Sequence, residues 1–283
     1  MKSRLILVEG IPGSGKSTVA GFTEQILKEM NIEAELFSEG NLDHPADYEG
    51  VACLSPNQYE LMIRDYPFTK NFSKKNRDHY LVFYRKIQVE EGNLLVDQLV
   101  NNLIKNDIYE LPLTQYMELI AEKWRNFVKM ALGNEKTYVF DCCFIQNPVT
   151  MSFVKNNAAN DEIIKYIQVL EKIIEPLNPF LIYVEQDNID FSFKKAVAER
   201  PSEWFHAFVD YYTSQGFGKE NGYVGLDGTL NVLHARKQLE QEIVDRLTLR
   251  KTILNNTAFN SEACQCEIKA ILTTLIKDVG PTM

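Results

Sequence analysis

The sequence predicts an α/β fold, a parallel sheet flanked by helices in three layers, with a largely helical insertion and helices at the C-terminus. Three observations lead to it. A short aliphatic run, Arg4 to Glu9, enters a glycine-rich turn and then an amphipathic segment from Gly15 to about Met30. Ala34 to Ser38 reads as a second strand, completing strand, helix and strand within about forty residues, which implies parallel pairing. The 283 residues are 45% apolar, enough to bury one sizeable core.

The elements follow in order. Val19, Phe22, Ile26 and Leu27 give the first helix one apolar face. Residues 41–111 form an insertion without steady strand–helix alternation, expected to contribute to a small-molecule site. Within it, Ser55-Pro56 reads as a cap with proline at the first helical position, opening a helix to about Arg64. His79 to Ile87 suits a short strand or a helical turn. Glu90 to Lys105 has helical spacing through Leu94, Leu95, Leu99, Leu103 and Ile104. Thr114 to Leu132 predicts an amphipathic helix capped by Thr114. Lys136 to Phe140 is a third strand ending at Asp141. Asp161 to Ile174 is a helix stopped by Pro176, and Pro179 to Val184 is the fourth strand. Phe191 to Ala198 is a short helix within a lid region, 190–228, whose glycine-rich part from Tyr211 to Gly228 is expected to be mobile. Leu230 to Leu233 is expected as the last strand. Helices from about Ala235 to Leu249 and from about Ser261 to Lys277 close the chain over 235–283, either packing at home or forming a homodimer interface. The whole, 1–283, is expected as one domain.

Gly10 to Ser17 reads GIPGSGKS and matches the Walker A pattern G-x-x-x-x-G-K-[ST] at every fixed position. Glycines allow the backbone N–H groups of Gly10, Ile11, Pro12's neighbours, Gly13, Ser14 and Gly15 to form an anion nest, and the helix N-terminus beyond adds partial positive charge. Pro12 belongs to the same candidate ATP-binding set. Lys16 reaches the β- and γ-phosphates, the Ser17 hydroxyl suits Mg²⁺, and Thr18 completes the ATP-binding set. With a strand before it and a helix after it, this motif specifies the α/β expectation as a P-loop NTPase sandwich.

Phosphoryl transfer needs positioned charge more than covalent chemistry. Open α/β sheets place such groups at the carboxyl ends of strands. Asp141, ending TYVFD, is the candidate Walker-B-like acid, acting on Mg²⁺ through water or on the acceptor. Glu39, ending ELFSE, is the candidate acceptor-side carboxylate, a general base or a hydroxyl-orienting group. Which of the two is the base stays open. Glu9 is a brace for the loop or the acceptor pocket, with no catalytic role. Lys194, Lys195 and Arg200 form a basic lid, in which Arg200 is the choice for stabilising transferred charge because a guanidinium binds phosphate bidentately. Arg64, Arg77 and Arg85 are alternatives for an acceptor phosphate.

These residues resemble a family. LVEGIPGSGKST is similar to the opening of thymidylate kinases and deoxynucleoside kinases, E-G-x-x-G-[SA]-G-K-S-T. FSEGN resembles the deoxynucleoside kinase second strand, whose acidic residue acts on the nucleoside 5′-hydroxyl; the match falls on Glu39, with Gly40 in place of a proline. FDCCFIQNP lies where those families carry D-R-[YF] or E-R-S, so Asp141 matches the acid and Cys142 replaces the arginine. FLIYVEQDNIDFSFKKAVAER resembles the strand, turn and lid helix of thymidylate kinases, placing Arg200 on a lid arginine. The resemblance implies a kinase that moves the γ-phosphate of Mg-ATP to a small hydroxyl or phosphate acceptor, a nucleoside or nucleotide among them.

Composition narrows the alternatives. Thirty Lys and Arg face 39 Asp and Glu, a net charge of -9, which disfavours a nucleic-acid partner. The N-terminal apolar run ends at Val8, too short for a signal peptide or a membrane span, so a cytoplasmic protein without a membrane partner is expected. Cys53, Cys142, Cys143, Cys264 and Cys266 are scattered and expected to be reduced thiols. No N-K-x-D guanine reader or L-S-G-G-Q-like transporter signature occurs. The alternative to a kinase is another P-loop NTPase or a nucleotide-binding regulatory protein.

Overall fold

The computed structural model describes residues 3–92 and 97–277. β1 (Leu5–Glu9) leads through the glycine-rich turn into α1 (Lys16–Glu29), followed by β2 (Ala34–Phe37). Then come β3 (Ala52–Leu54), α2 (Pro56–Asp65), β4 (Ser73–Asn76), β5 (His79–Val82), α3 (Tyr84–Glu91) and α4 (Asp97–Ile104). α5 (Leu113–Leu132), β6 (Thr137–Asp141) and α6 (Gln146–Val149) lead to a π-helical turn, Thr150–Lys155. The chain continues through α7 (Asn160–Ile174), β7 (Phe180–Glu185), α8 (Ile189–Ala198), α9 (Ser202–Thr213) and α10 (Gly216–Glu220). It ends with α11 (Gly225–Arg246), β8 (Arg250–Asn255) and α12 (Ser261–Lys277). Two compact units emerge: one up to Glu39 and from Trp124 onward, the other Gly40–Lys123.

The first unit is built on a five-stranded parallel sheet in the order β2-β6-β1-β7-β8, flanked by helices. Side chains alternate across a strand, so each buried strand feeds both faces. Ile6, Val8, Val139, Ile182 and Val184 pack with Val19 and Leu27 of α1 and with Ile268 and Leu272 of α12. On the opposite register Phe140 meets the rings of Trp124 and Phe127 from α5. All five residues of β1 and of β6 are buried, which is why neither shows an alternating polar face. β1 and β2 do not pair; β6 lies between them. The carboxyl ends of three adjacent strands therefore converge, with Val8 opposite Asp141.

The second unit combines the expected helices with a small sheet that the sequence did not announce. It carries a three-stranded antiparallel sheet in the order β3-β5-β4, with Cys53 opposite Leu81 and Lys75 opposite Tyr80. β3 has three residues and β4 reads SKKN, so neither had a period to detect; pairing with β5 holds them. Tyr59 of α2 stacks on Tyr80 with ring centroids 3.8 Å apart. The undecided stretch His79 to Ile87 is a strand that turns directly into α3. The single helix expected over Glu90 to Lys105 is instead α3 ending at Glu91 and α4 beginning at Asp97; Leu94 and Leu95 lie outside the described residues.

Three further expectations are corrected. Thr114 lies inside α5, which begins at Leu113, so it is not the cap. Leu230 to Leu233 belong to α11, because a four-residue apolar run fits a buried helix as well as a strand. The last strand is β8, an edge strand whose alternating half-exposed residues include only one that is buried, Leu254, so its apolar signal was weak. Tyr211 to Gly228, to which no element was assigned from sequence, is mostly helical in α9, α10 and the start of α11.

Candidate functional site

The turn after β1 is shaped by glycine where no other residue fits. Gly10 has φ 148°, and a Cβ there would lie 2.4 Å from the Val184 carbonyl oxygen. Gly15 has φ 91°, and its Cβ would lie 2.5 Å from Asn256 Nδ2. Both close contacts come from the tips of neighbouring strands, which brace the turn. Gln186 Nε2 donates to the carbonyls of Ser14 (3.0 Å) and Asn256 (2.9 Å), while Asn256 Nδ2 donates to Ser14 (2.9 Å). Gln186 follows β7 and Asn256 follows β8.

Beyond Gly15, α1 begins with no side-chain cap and no acidic residue in its first turn. Its first N–H groups are thus left to an external acceptor, in the partial positive field of the helix end. Lys16 is buried and curls back to donate to the Ile11 carbonyl at 3.1 Å. Ser17 Oγ donates to Asp141 Oδ2 at 2.7 Å. Asp141 is 1% exposed at the end of β6, and its Oδ1 is buried without a hydrogen-bond partner. Burial raises its pKa, opposed by the Lys16 ammonium and the Ser17 hydroxyl. Residues 124 apart in sequence therefore meet at the mouth of the turn.

A cavity of about 530 Å³ opens there. Pro12, Gly13, Gly15, Lys16, Ser17 and Thr18 line one side. Glu39 and Arg200, both singled out from sequence, line the same cavity. Glu39 is exposed and accepts from Gln146 Nε2 at 3.3 Å. Arg200 lies over the Trp204 ring, 4.2 Å from its centroid. Of the other lid cations, Lys195 lines the cavity, paired with Glu199 and set over the Phe259 ring, whereas Lys194 is exposed and not part of the lining. Arg64, Arg77 and Arg85 pair on the surface of the second unit with Asp65, Glu122 and Glu49.

Glu9 does not reach the cavity. It is fully buried and accepts from the backbone N–H groups of Phe144 (2.7 Å) and Gln146 (2.8 Å). Burial pushes its pKa up to about 8 in spite of these donors. Its role is to fold the segment after Asp141, where Cys142 adopts a left-handed φ of 63° and is itself buried. A buried ion pair holds the other end of that segment. Arg236 of α11 donates to Glu240 (2.7 Å), Thr150 Oγ1 (2.8 Å), Tyr212 Oη (2.7 Å) and the Gln146 carbonyl (2.8 Å). Both members of the Arg236–Glu240 pair are completely buried, and Tyr183 Oη also donates to Glu240.

The sequence reading missed Gln146, Gln186, Asn256, Arg236 and the aromatic wall of α9. The i,i+4 spacing of Arg236 and Glu240 was visible, but such pairs are usually solvated, and depth is a property of the fold. Among the described residues, no group of three or more His, Cys, Asp or Glu is placed to hold a metal ion. No helix of the described residues is long and apolar enough to cross a membrane. No protein-family model matches the chain, and no curated protein matches it.

Proposed function

We propose that the chain is a P-loop phosphotransferase that moves the γ-phosphate of Mg-ATP to a small acceptor, akin to the thymidylate and deoxynucleoside kinase group its motifs resemble. The observation that carries the reading is the Ser17–Asp141 contact at the uncapped start of α1, beside a buried lysine. A hydroxyl, a carboxylate with one oxygen unpartnered and an ammonium gathered at a glycine turn form a donor set suited to a metal–triphosphate. Ser17 and Asp141 are the residues that would hold Mg²⁺ there. Bound there, the metal would neutralise charge on the β- and γ-phosphates.

The chain's own residues do the rest. The turn from Gly10 to Gly15 cradles phosphate oxygens with backbone N–H groups. Lys16 exchanges the Ile11 carbonyl for the β- and γ-oxygens. Arg200 stabilises charge on the group in transfer. Glu39 orients the acceptor hydroxyl or takes its proton as the oxygen bonds to phosphorus and the β–γ bridge breaks to release ADP. The segment 190–228 would serve as lid.

Lys16→Ala is expected to lower turnover by at least ~10²–10³-fold, the usual effect of removing one preorganised charge-stabilising donor. ATP consumption dependent on a small acceptor, followed with labelled ATP, tests the reading. Tight Mg-ATP uptake without turnover would instead favour a nucleotide-binding regulator.

A further inference from the structure

Resting on that reading, we infer that the acceptor is an uncharged, ring-bearing alcohol rather than a phosphorylated or polycationic one. The cavity wall beyond Lys16 and Ser17 comes from α6, the π-helical turn and α9. It presents the polar Gln146, Asn147 and Thr150 together with the aromatic Trp204, Phe208, Tyr211 and Tyr212. Phe208 stacks on Tyr212 at 4.1 Å and lies 4.9 Å from the Trp204 ring. Flat aromatic surface beside a few polar groups suits a ring carrying hydroxyls.

Charge excludes the other classes. The lining contains three cations, Lys16, Lys195 and Arg200, against two carboxylates, Glu39 and Glu199, and Lys195 is already paired with Glu199. The surplus is one positive charge. A bound triphosphate brings about four negative charges, of which its divalent metal cancels half. Lys16 and Arg200 are thus fully engaged by the donor. A phosphate on the acceptor would enter a partly desolvated space with no cation to receive it. Arg236 stands behind the wall, but Glu240, Thr150, Tyr212 and Gln146 take four of its five N–H donors, and it is completely buried. A polycationic acceptor meets the converse problem, since among the described residues Glu39 is the only lining carboxylate not paired with a lining cation.

The test uses the full chain and matched probes. Calorimetric uptake of Mg-ATP, measured first, judges the phosphotransferase reading separately. Binding and labelled-phosphate transfer are then compared for thymidine against thymidine monophosphate, glucose against its monophosphate, and kanamycin. The expected result is a saturable neutral compound whose phosphorylated counterpart is at least about tenfold poorer, and no use of kanamycin. Phe208→Ala is expected to raise the KM or Kd for that neutral compound by about tenfold while Mg-ATP uptake persists. Equal or better use of a monophosphate, preference for kanamycin, or no saturable binding of either neutral probe at millimolar concentration overturns the inference.

Discussion

At the scale of single residues, the site depends on atoms that cannot be moved cheaply. Gly10 is hemmed in by the Val184 carbonyl and holds a φ that side chains rarely adopt. Gly10→Ala should therefore lower the melting temperature and abolish Mg-ATP uptake together. Asp141→Asn keeps the shape and the bond to Ser17 but removes the charge. Metal-dependent turnover should vanish while uptake of an ATP analogue survives; unchanged kinetics would remove Asp141 from the site. Glu39→Gln keeps a hydrogen-bonding group of the same size. It should slow transfer by about 10²–10⁴-fold if Glu39 is the base, with little change in ATP affinity. Equal losses in both would assign Glu39 to binding alone.

At the scale of elements, the buried Arg236–Glu240 pair joins α11 to the π-helical turn, α9 and β7 through hydrogen bonds on every side. Removing one partner leaves an uncompensated buried charge. Arg236→Met should cost about 3–5 kcal/mol of stability, whereas Arg236→Met combined with Glu240→Leu should recover much of that loss. Denaturant unfolding of the two singles and the double decides it; additive losses would mean that the ions do not act as a pair. In the second unit, α2 begins with a reciprocal capping box between Ser55 and Gln58. Ser55→Ala should destabilise that unit by about 1 kcal/mol.

At the scale of the whole molecule, stability should respond to pH through buried groups in both units. Glu9 has its pKa raised from 4.5 to about 8, chiefly by burial. The native state therefore holds its proton more tightly, and this contribution to stability is complete below pH 4.5 and lost as pH rises through 8. His44 behaves oppositely: burial lowers its pKa from 6.5 to about 3, so its contribution is complete above pH 6.5 and lost as pH falls through 3. Melting curves across pH should flatten on the alkaline side in Glu9→Gln and on the acid side in His44→Asn. Parallel curves for wild type and variants would show that neither group titrates with folding.

The sequence by itself determined the glycine-rich turn, the strand before it, the helix after it and the two carboxylates at and just beyond strand ends. These are local: a glycine pattern, a β-branched run and a capping preference act within a few residues. It also determined β6, β7, α7 and α12, whose burial leaves a long apolar signature. Only the tertiary structure decided what lies next to what. β6 separates β1 from β2, so Asp141 reaches Ser17 and Glu39 reaches Gln146. β8, short of buried side chains, is a strand because β7 offers it a hydrogen-bonding edge. Arg236 is an interior charge because Gln146, Thr150 and Tyr212 from other elements join Glu240 around it, and no local pattern encodes burial contributed by residues far away in the chain.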